Sequence, residues 1–206
     1  MTGIEALVKG LGDSQSAKRR SAAKKLRKLA DPAAGAALLV ALEEELKDRR
    51  TWETQYQMVM ALGESGYRDA LPFLEKLAQQ PLDATTVYIA IGDALVRLSR
   101  AGPNDVSPVL HLMASARDPA LVEGAFRAVA MLRMVPDDAA IAQMIDYGRR
   151  SAFAEEKYLW LAAAAPGWKG ANVEAFLDEC ARHQSDRVRE AAALAKARKY
   201  KKWQPL

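Results

Sequence analysis

The sequence predicts an all-α solenoid built from about six antiparallel helix pairs. Apolar residues recur at helical spacing, whereas β-branched residues are sparse and strand-like alternation never persists beyond a few positions. The second helices of successive pairs align at spacings of 36, 33, 34, 33 and 33 residues. The aligned positions are Leu26, Leu62, Leu95, Val129, Ala162 and Ala195. A two-helix period in the thirties is typical of a solenoid, in which each repeat buries its apolar face against its neighbours.

The stretch from Ala61 to Ala78 is the template of the repeat. Gly63 is predicted to end one helix, because glycine tolerates the left-handed backbone found just past a helix end. Asp69 is placed to cap the next helix, and Pro72 lies in its first turn, where no backbone donor is missed. Weaker copies of this helix–turn–helix unit recur along the chain.

Taken in order, the apolar pattern and the breaks at glycine and proline predict twelve helices. The predicted helices, or the segments that mark them, are residues 2–11, 16–30, 34–47, 51–62, 70–79, 85–99, 105–110, 119–132, 141–148, 151–165, 171–183 and 186–199. Leu29 is predicted on the buried face of the second helix, and Trp52 on that of the fourth. We therefore expect one solenoid domain over residues 1–199 and a short tail at 200–206.

Composition favours a folded protein of the cytoplasm. Of the 206 residues, 50% are hydrophobic and 27% are charged, which is enough for a core and far from the disordered range. The one cysteine, Cys180, excludes an internal disulfide and fits a reducing compartment. Glu5 and Lys9 interrupt the first apolar segment, which is unlike a signal peptide, and the uncharged run at 32–42 is too short to cross a bilayer. We therefore expect no membrane association.

The net charge of +4 is unevenly distributed. Residues 1–30 and 181–206 each carry eight basic and two acidic residues, so the middle of the chain has a net charge of −8. Concentrated basic ends argue for an anionic partner better than the small net charge does.

Several segments resemble the HEAT-repeat family. They are residues 20–23, 61–63, 70–74 and 187–192. The resemblance extends over nearly the whole chain, although Trp160 and the alanine run at 162–165 depart from the usual motif in the fifth pair. It implies a curved, right-handed superhelical stack in which the second helices line a concave surface, where ligands of such stacks usually lie.

The resemblance leaves the function open, because HEAT-like repeats serve as scaffolds, adaptors, lyase-like chaperones and, in one branch, DNA-alkylation glycosylases. Our first hypothesis is a non-enzymatic scaffold or adaptor that binds a protein partner on the concave face. The alternative is a nucleic-acid-binding protein of the glycosylase-like kind that uses its basic ends. No stretch matches the glycosylase site residue by residue, so no catalytic residue is carried over.

The sequence gives little support for a catalytic, metal or cofactor site. His111 and His183 lie far apart in sequence, and Cys180 with His183 supplies only two ligands at a helix end. The sequence contains neither a zinc-binding motif of the HExxH or CxxC kind nor a glycine-rich phosphate loop. We therefore expect no enzyme activity, cofactor or metal.

Two basic patches and one tryptophan are the candidate binding residues. The helix at 16–30 places Lys18, Lys25 and Lys28 on one stripe, and Arg20, Lys24 and Arg27 on the adjacent one. At the far end, Arg189 and Lys196 occupy comparable positions. These patches are suited to straddle a phosphate backbone. The simpler interpretation is that the ends of a solenoid need soluble faces, and the acidic centre argues against a continuous nucleic-acid track.

The tryptophans have different predicted roles. Trp168 lies in a loop, where it is placed either to anchor a partner or to pack on its own domain. Trp203 is expected to fold back over the last repeat, and Trp52 and Trp160 to pack between helices.

Overall fold

The computed structural model describes residues 3–151 and 154–203, and within them it contains twelve α-helices and no strand. The helices are α1 (Gly3–Gly10), α2 (Ser16–Leu29), α3 (Gly35–Glu45), α4 (Trp52–Ser65), α5 (Leu71–Ala78), α6 (Thr85–Ser99), α7 (Ser107–Ser115), α8 (Pro119–Met131), α9 (Asp138–Arg150), α10 (Ala154–Ala164), α11 (Ala171–Ala181) and α12 (Asp186–Lys196). The predicted all-α class and the succession of helix pairs are confirmed.

Local sequence explains the start of α9 and the end of α4. Asp137 begins α9 with a side-chain oxygen that accepts a hydrogen bond from Ala140 N at 2.8 Å. The template turn differs from the prediction, because α4 continues through Gly63 to Ser65 and is followed by Gly66, whose φ of 71° is left-handed. Pro72 does lie in the first turn of α5, but no side chain caps that helix, so Asp69 is not its cap.

The chain divides into two compact units, Met1–Ser99 with Ala116–Ala125, and Arg100–Ser115 with Phe126–Leu206. In the first unit the second helices α2, α4 and α6 pack one against the next, while α1, α3 and α5 pack on α2, α4 and α6 respectively. All residues of α4 from Thr54 to Gly63 are buried, so this helix is the centre of the core.

The second unit is built around α9, α10, α11 and α12. Helix α10 packs against α9 and α12, and α11 packs against α12. Phe176 is fully buried and its ring contacts Tyr158 at a centroid distance of 5.3 Å. The C-terminal segment folds back onto this unit as expected, with the Trp203 ring 4.6 Å from that of Trp160 on α10.

All six positions that were aligned between repeats are buried. Two other inward assignments are wrong. Leu29 is 53% exposed because it is the last residue of α2, and Trp52 is 40% exposed at the first position of α4. Both lie at helix ends, beyond the reach of the neighbouring helices that cover the middle turns.

Candidate interaction surfaces

Helix α2 turns its arginines towards the core and its lysines towards solvent. Arg19 donates two hydrogen bonds to the buried carboxylate of Glu45, at 2.5 and 2.9 Å, and the first of these interactions raises the pKa of Arg19. Arg27 pairs with Glu64 at 2.9 Å and lies over the ring of Tyr56. These contacts join α2 to α3 and α4 and occupy the guanidinium groups.

Two predicted site residues are therefore parts of the scaffold. Arg27 is only 4% exposed, so it is out of reach of any ligand, and this candidate is wrong. Arg20 forms an ion pair with Glu53 on α4, although about two-fifths of its side chain stays exposed.

The opposite side of α2 is a surface that we name the lysine face: Lys18, Lys24, Lys25 and Lys28. Lys18, Lys25 and Lys28 are exposed and Lys24 is half-buried. Lys18 lies 3.5 Å from Asp13, while Lys24, Lys25 and Lys28 form no ion pair within residues 3–151 and 154–203. Because these residues recur at helical spacing, their positive charges share one side of the helix.

The two candidate binding residues at the other end of the chain, Arg189 and Lys196, are paired within the second unit. Lys196 pairs with Asp178 at 2.5 Å, and Arg189 pairs with Asp186 while donating hydrogen bonds to two backbone carbonyl oxygens. The predicted symmetry is therefore absent at the candidate residues, since Arg189 and Lys196 are paired whereas Lys24, Lys25 and Lys28 form no ion pair within the described residues.

Trp168 is a core residue. It is 2% exposed, and its indole Nε1–H donates a hydrogen bond of 2.9 Å to the carbonyl oxygen of Met134. Its loop position suggested an accessible side chain, but the ring is buried within the second unit and donates a hydrogen bond to a backbone carbonyl oxygen there. Trp168 is therefore not an anchor for a partner.

A cleft of about 680 Å³ separates α1 from α3 in the first unit, and we name it the α1–α3 groove. Its walls are Val8, Leu11, Gly12, Ala36, Ala37, Val40 and Ala41, and its charged lining is Asp13, Arg19, Glu44, Glu45 and Asp48. Sequence analysis missed this groove, which forms because α1 packs on α2 and α3 packs on α4.

The outward side of α3 is apolar as well as its inward side. Leu38 and Leu42 are buried against the core, yet Val40 on the groove side is 62% exposed. A helix that is apolar all round is normally buried all round. The apolar residues on all sides of this helix are visible in the sequence at 35–42. They were the available indication that the outward side of α3 is an interaction surface.

Carboxylates gather where α1 and α3 both end. Asp13 follows α1, while Glu44, Glu45 and Asp48 lie in the last turn of α3 and beyond it. Hydrogen bonds from Arg50 hold the pKa of Asp48 at about 2, and a backbone hydrogen bond from Gln15 lowers the pKa of Asp13. Helix C-termini add partial negative charge, so this end of the groove favours cations.

Helix α4 is one of the second helices predicted to line an open concave surface. Its residues from Thr54 to Gly63, including Gln57 and Met60, are buried. No helix within 3–151 and 154–203 combines the length and apolar character needed to span a bilayer. In the same residues, no three His, Cys, Asp or Glu side chains form a metal-binding group.

Cys180 and His183 have structural contacts. Burial raises the pKa of the Cys180 thiol to about 12, so it is protonated at neutral pH. His183 contacts the Tyr158 ring, and its Nδ1 accepts a hydrogen bond from Ser185 N at 3.1 Å.

Comparison with known proteins gives one family match. The family of the PBS lyase HEAT-like repeat matches residues 18–44, which span most of α2 and all but the last residue of α3. No curated protein matches the chain. Among solved structures, an engineered protein from a structural genomics consortium is 20% identical, with a TM-score of 0.47 over 96% of this chain and 98% of its own. A designed armadillo repeat protein is 17% identical, with a TM-score of 0.42 over 95% of this chain and 99% of its own.

The predicted resemblance is thereby confirmed at the level of the repeat, without singling out any individual protein. The matched segment contains both the lysine face of α2 and the apolar side of α3. The chain is a helical repeat protein that carries a HEAT-like repeat at residues 18–44.

Proposed function

We infer that this protein is a non-enzymatic interaction module that binds a protein partner in the α1–α3 groove. The observation that carries the proposal is the bare apolar side of α3. Ala36, Ala37 and Ala41 surround Val40 on the wall of an open cleft, and burying such a surface is favourable at roughly 25 cal/mol per Å². Contiguous exposed apolar surface of this kind marks interaction sites in soluble proteins.

The occupant that best fits the groove is an amphipathic helix. Two helices flanking a cleft accept a third helix in the helix-in-groove mode, and the short alanine side chains of α3 allow its backbone to approach closely. A small molecule is a poorer fit, since such ligands are typically buried by about 70–90% and Val40 lies in the open.

The charge of the groove orients that helix. Glu44 and Asp48 are paired with Lys47 and Arg50, whose side chains are 70% and 89% exposed. Such surface pairs contribute about 0–1 kcal/mol, so a lysine or arginine of the partner readily replaces them. We therefore place a basic residue of the partner helix at the acidic end of the groove.

The absence of enzyme activity and a cytoplasmic location are part of the same proposal. The buried thiol of Cys180, with a pKa of about 12, is a poor nucleophile, and the chain has no second cysteine with which to form a disulfide. The proposed binding surface is thus the side formed by the first helices, in place of the concave face expected from the sequence.

Site-specific photo-crosslinking tests the proposal. A photoreactive amino acid replaces Val40 in one version of the protein and Lys25 in another, and both are irradiated in lysate of the native cells. We expect a protein adduct from position 40 that is missing from position 25 and that disappears when Ala37→Glu is added. Adducts from position 25 alone, or an adduct at position 40 that survives Ala37→Glu in a protein with unchanged circular dichroism, would refute the groove as the site.

A further inference from the structure

We propose that the lysine face of α2 is a second binding site, one that holds the phosphate backbone of nucleic acid without reading its bases. The site consists of Lys18, Lys24, Lys25 and Lys28. It is independent of the α1–α3 groove and excludes the arginines of the same helix, whose charges are used by Glu45, Glu53 and Glu64.

The lysine face supplies unpaired positive charge. Lys24, Lys25 and Lys28 have no carboxylate partner in the described parts of the chain, and the first turn of α2 contains no acidic residue. A phosphate that approaches these ammonium groups therefore displaces only water and mobile ions. Release of the counterions condensed on nucleic acid then drives binding.

The length of the lysine face matches a short run of phosphates. Lys18 and Lys28 are ten residues apart, which is about 15 Å along a helix that rises about 1.5 Å per residue. At about 3.4 Å per phosphate on one strand, this length matches roughly four phosphates. The four lysines thus place four cations along a length of about four phosphates, with Lys24, Lys25 and Lys28 grouped towards the C-terminal end of the helix.

The composition of the surface favours nucleic acid over a protein partner. Lysine is depleted in protein–protein interfaces, whereas aromatic residues, methionine and arginine are enriched there. The remaining exposed residues on this side include Ala17 and Ser21, and neither is aromatic or able to form the bidentate contacts by which proteins distinguish bases. The lysine face is therefore suited to contacts with the backbone alone.

The same helix is poorly suited to a membrane surface. An interfacial helix inserts its apolar face between lipids. In α2 the apolar residues Ala22, Ala23 and Leu26 are buried in the protein core, which leaves Leu29 at the helix end as its one exposed large apolar side chain. Anionic lipid headgroups would still attract these lysines, and the comparison with vesicles below distinguishes lipid phosphate from nucleic-acid phosphate.

Fluorescence anisotropy with a labelled 20-base-pair DNA duplex tests the site. The full chain is compared with the triple variant Lys24→Glu, Lys25→Glu and Lys28→Glu. The control is Lys169→Glu, Lys199→Glu and Lys202→Glu, which changes three exposed lysines of the second unit and gives the same net charge.

We expect the unmodified chain to bind with an affinity that falls about 40- to 150-fold between 50 and 200 mM salt, as three or four phosphate contacts require. The α2 variant should lose at least tenfold in affinity, while the control stays within about threefold. An equal loss in both variants would show attraction to net charge alone and overturn the site.

Absence of salt-sensitive DNA binding, or binding only to vesicles rich in phosphatidylserine, would also overturn the proposal. Ala37→Glu in the groove should leave DNA binding unchanged, so the two sites succeed or fail separately. Circular dichroism of each variant shows that the helices are intact.

Discussion

Gly92 of α6 lies directly against the backbone of Leu121 in α8: a Cβ atom added at Gly92 would be 2.0 Å from the Leu121 carbonyl oxygen. The contact is reciprocal, because a Cβ atom at Gly124 would be 2.0 Å from the carbonyl oxygen of Ile89. The two glycines thus bring α6 and the first half of α8 into backbone contact inside the first unit. The side chain of any other residue would force these helices apart.

Gly92→Ala is expected to lower the free energy of unfolding by about 2–3 kcal/mol, since the obstructing atoms belong to the backbone and overpacking typically costs about 1–3 kcal/mol. Urea unfolding followed by circular dichroism measures the change. Gly102→Ala is the matched control, because no atom lies within 4 Å of the added carbon, and it should shift the midpoint little.

Arg27→Met is expected to destabilise the protein by about 2–3 kcal/mol, because it leaves the Glu64 carboxylate and the buried amide of Gln57 without their guanidinium partner. Adding Glu64→Gln should restore part of this loss, and chemical denaturation of both single variants and the double variant gives the coupling energy. Lys25→Met on the solvent side of the same helix should change stability by less than about 0.5 kcal/mol. Equal effects of Arg27→Met and Lys25→Met would contradict the inward assignment.

The positions of the helices could be predicted from the sequence because apolar periodicity and proline or glycine breaks are local. The sequence also separated a stripe with Lys18, Lys25 and Lys28 from one with Arg20, Lys24 and Arg27, although Lys24 is not paired as the two arginines are. It could not show which stripe faces solvent, since that depends on carboxylates contributed by other helices much later in the chain.

The errors have the same origin. Gly63 was assigned to a helix end by its residue type, but it lies inside α4, where a Cβ atom would be 2.8 Å from Cα of Ala94. Trp168 follows a Pro-Gly turn in sequence, yet the acceptor for its indole is 34 residues away at Met134. The α1–α3 groove depends on how two helices pack on their own partners, which no local pattern encodes.

Trp168→Phe is expected to cost about 1–3 kcal/mol, because the smaller ring removes the indole N–H and leaves the Met134 carbonyl oxygen without this donor. Thermal unfolding should show a lower midpoint. Trp52→Phe at the exposed start of α4 is the control and should change stability by less than about 0.5 kcal/mol. A Trp168→Phe variant as stable as the control would exclude the role of this hydrogen bond.

Cys180 provides a test that depends on pH. Its pKa of about 12 lies above the ordinary value of 9.0, so at pH 8 the folded protein holds about 1,000-fold less thiolate than an ordinary cysteine would. Because the thiolate is the reactive form and the side chain is fully buried, a disulfide reagent should modify the native protein at pH 8 far more slowly than the same protein in urea. An exposed thiol would react at similar rates in both. Stability should depend on pH as well, since an unfolded chain ionises its thiol above about pH 9 while the folded one does not until about pH 12, so this contribution to stability is present below pH 9 and decreases as the pH rises. Cys180→Ala should remove this contribution, and equal modification rates in native and urea-unfolded protein would show that the thiol is not held in the core.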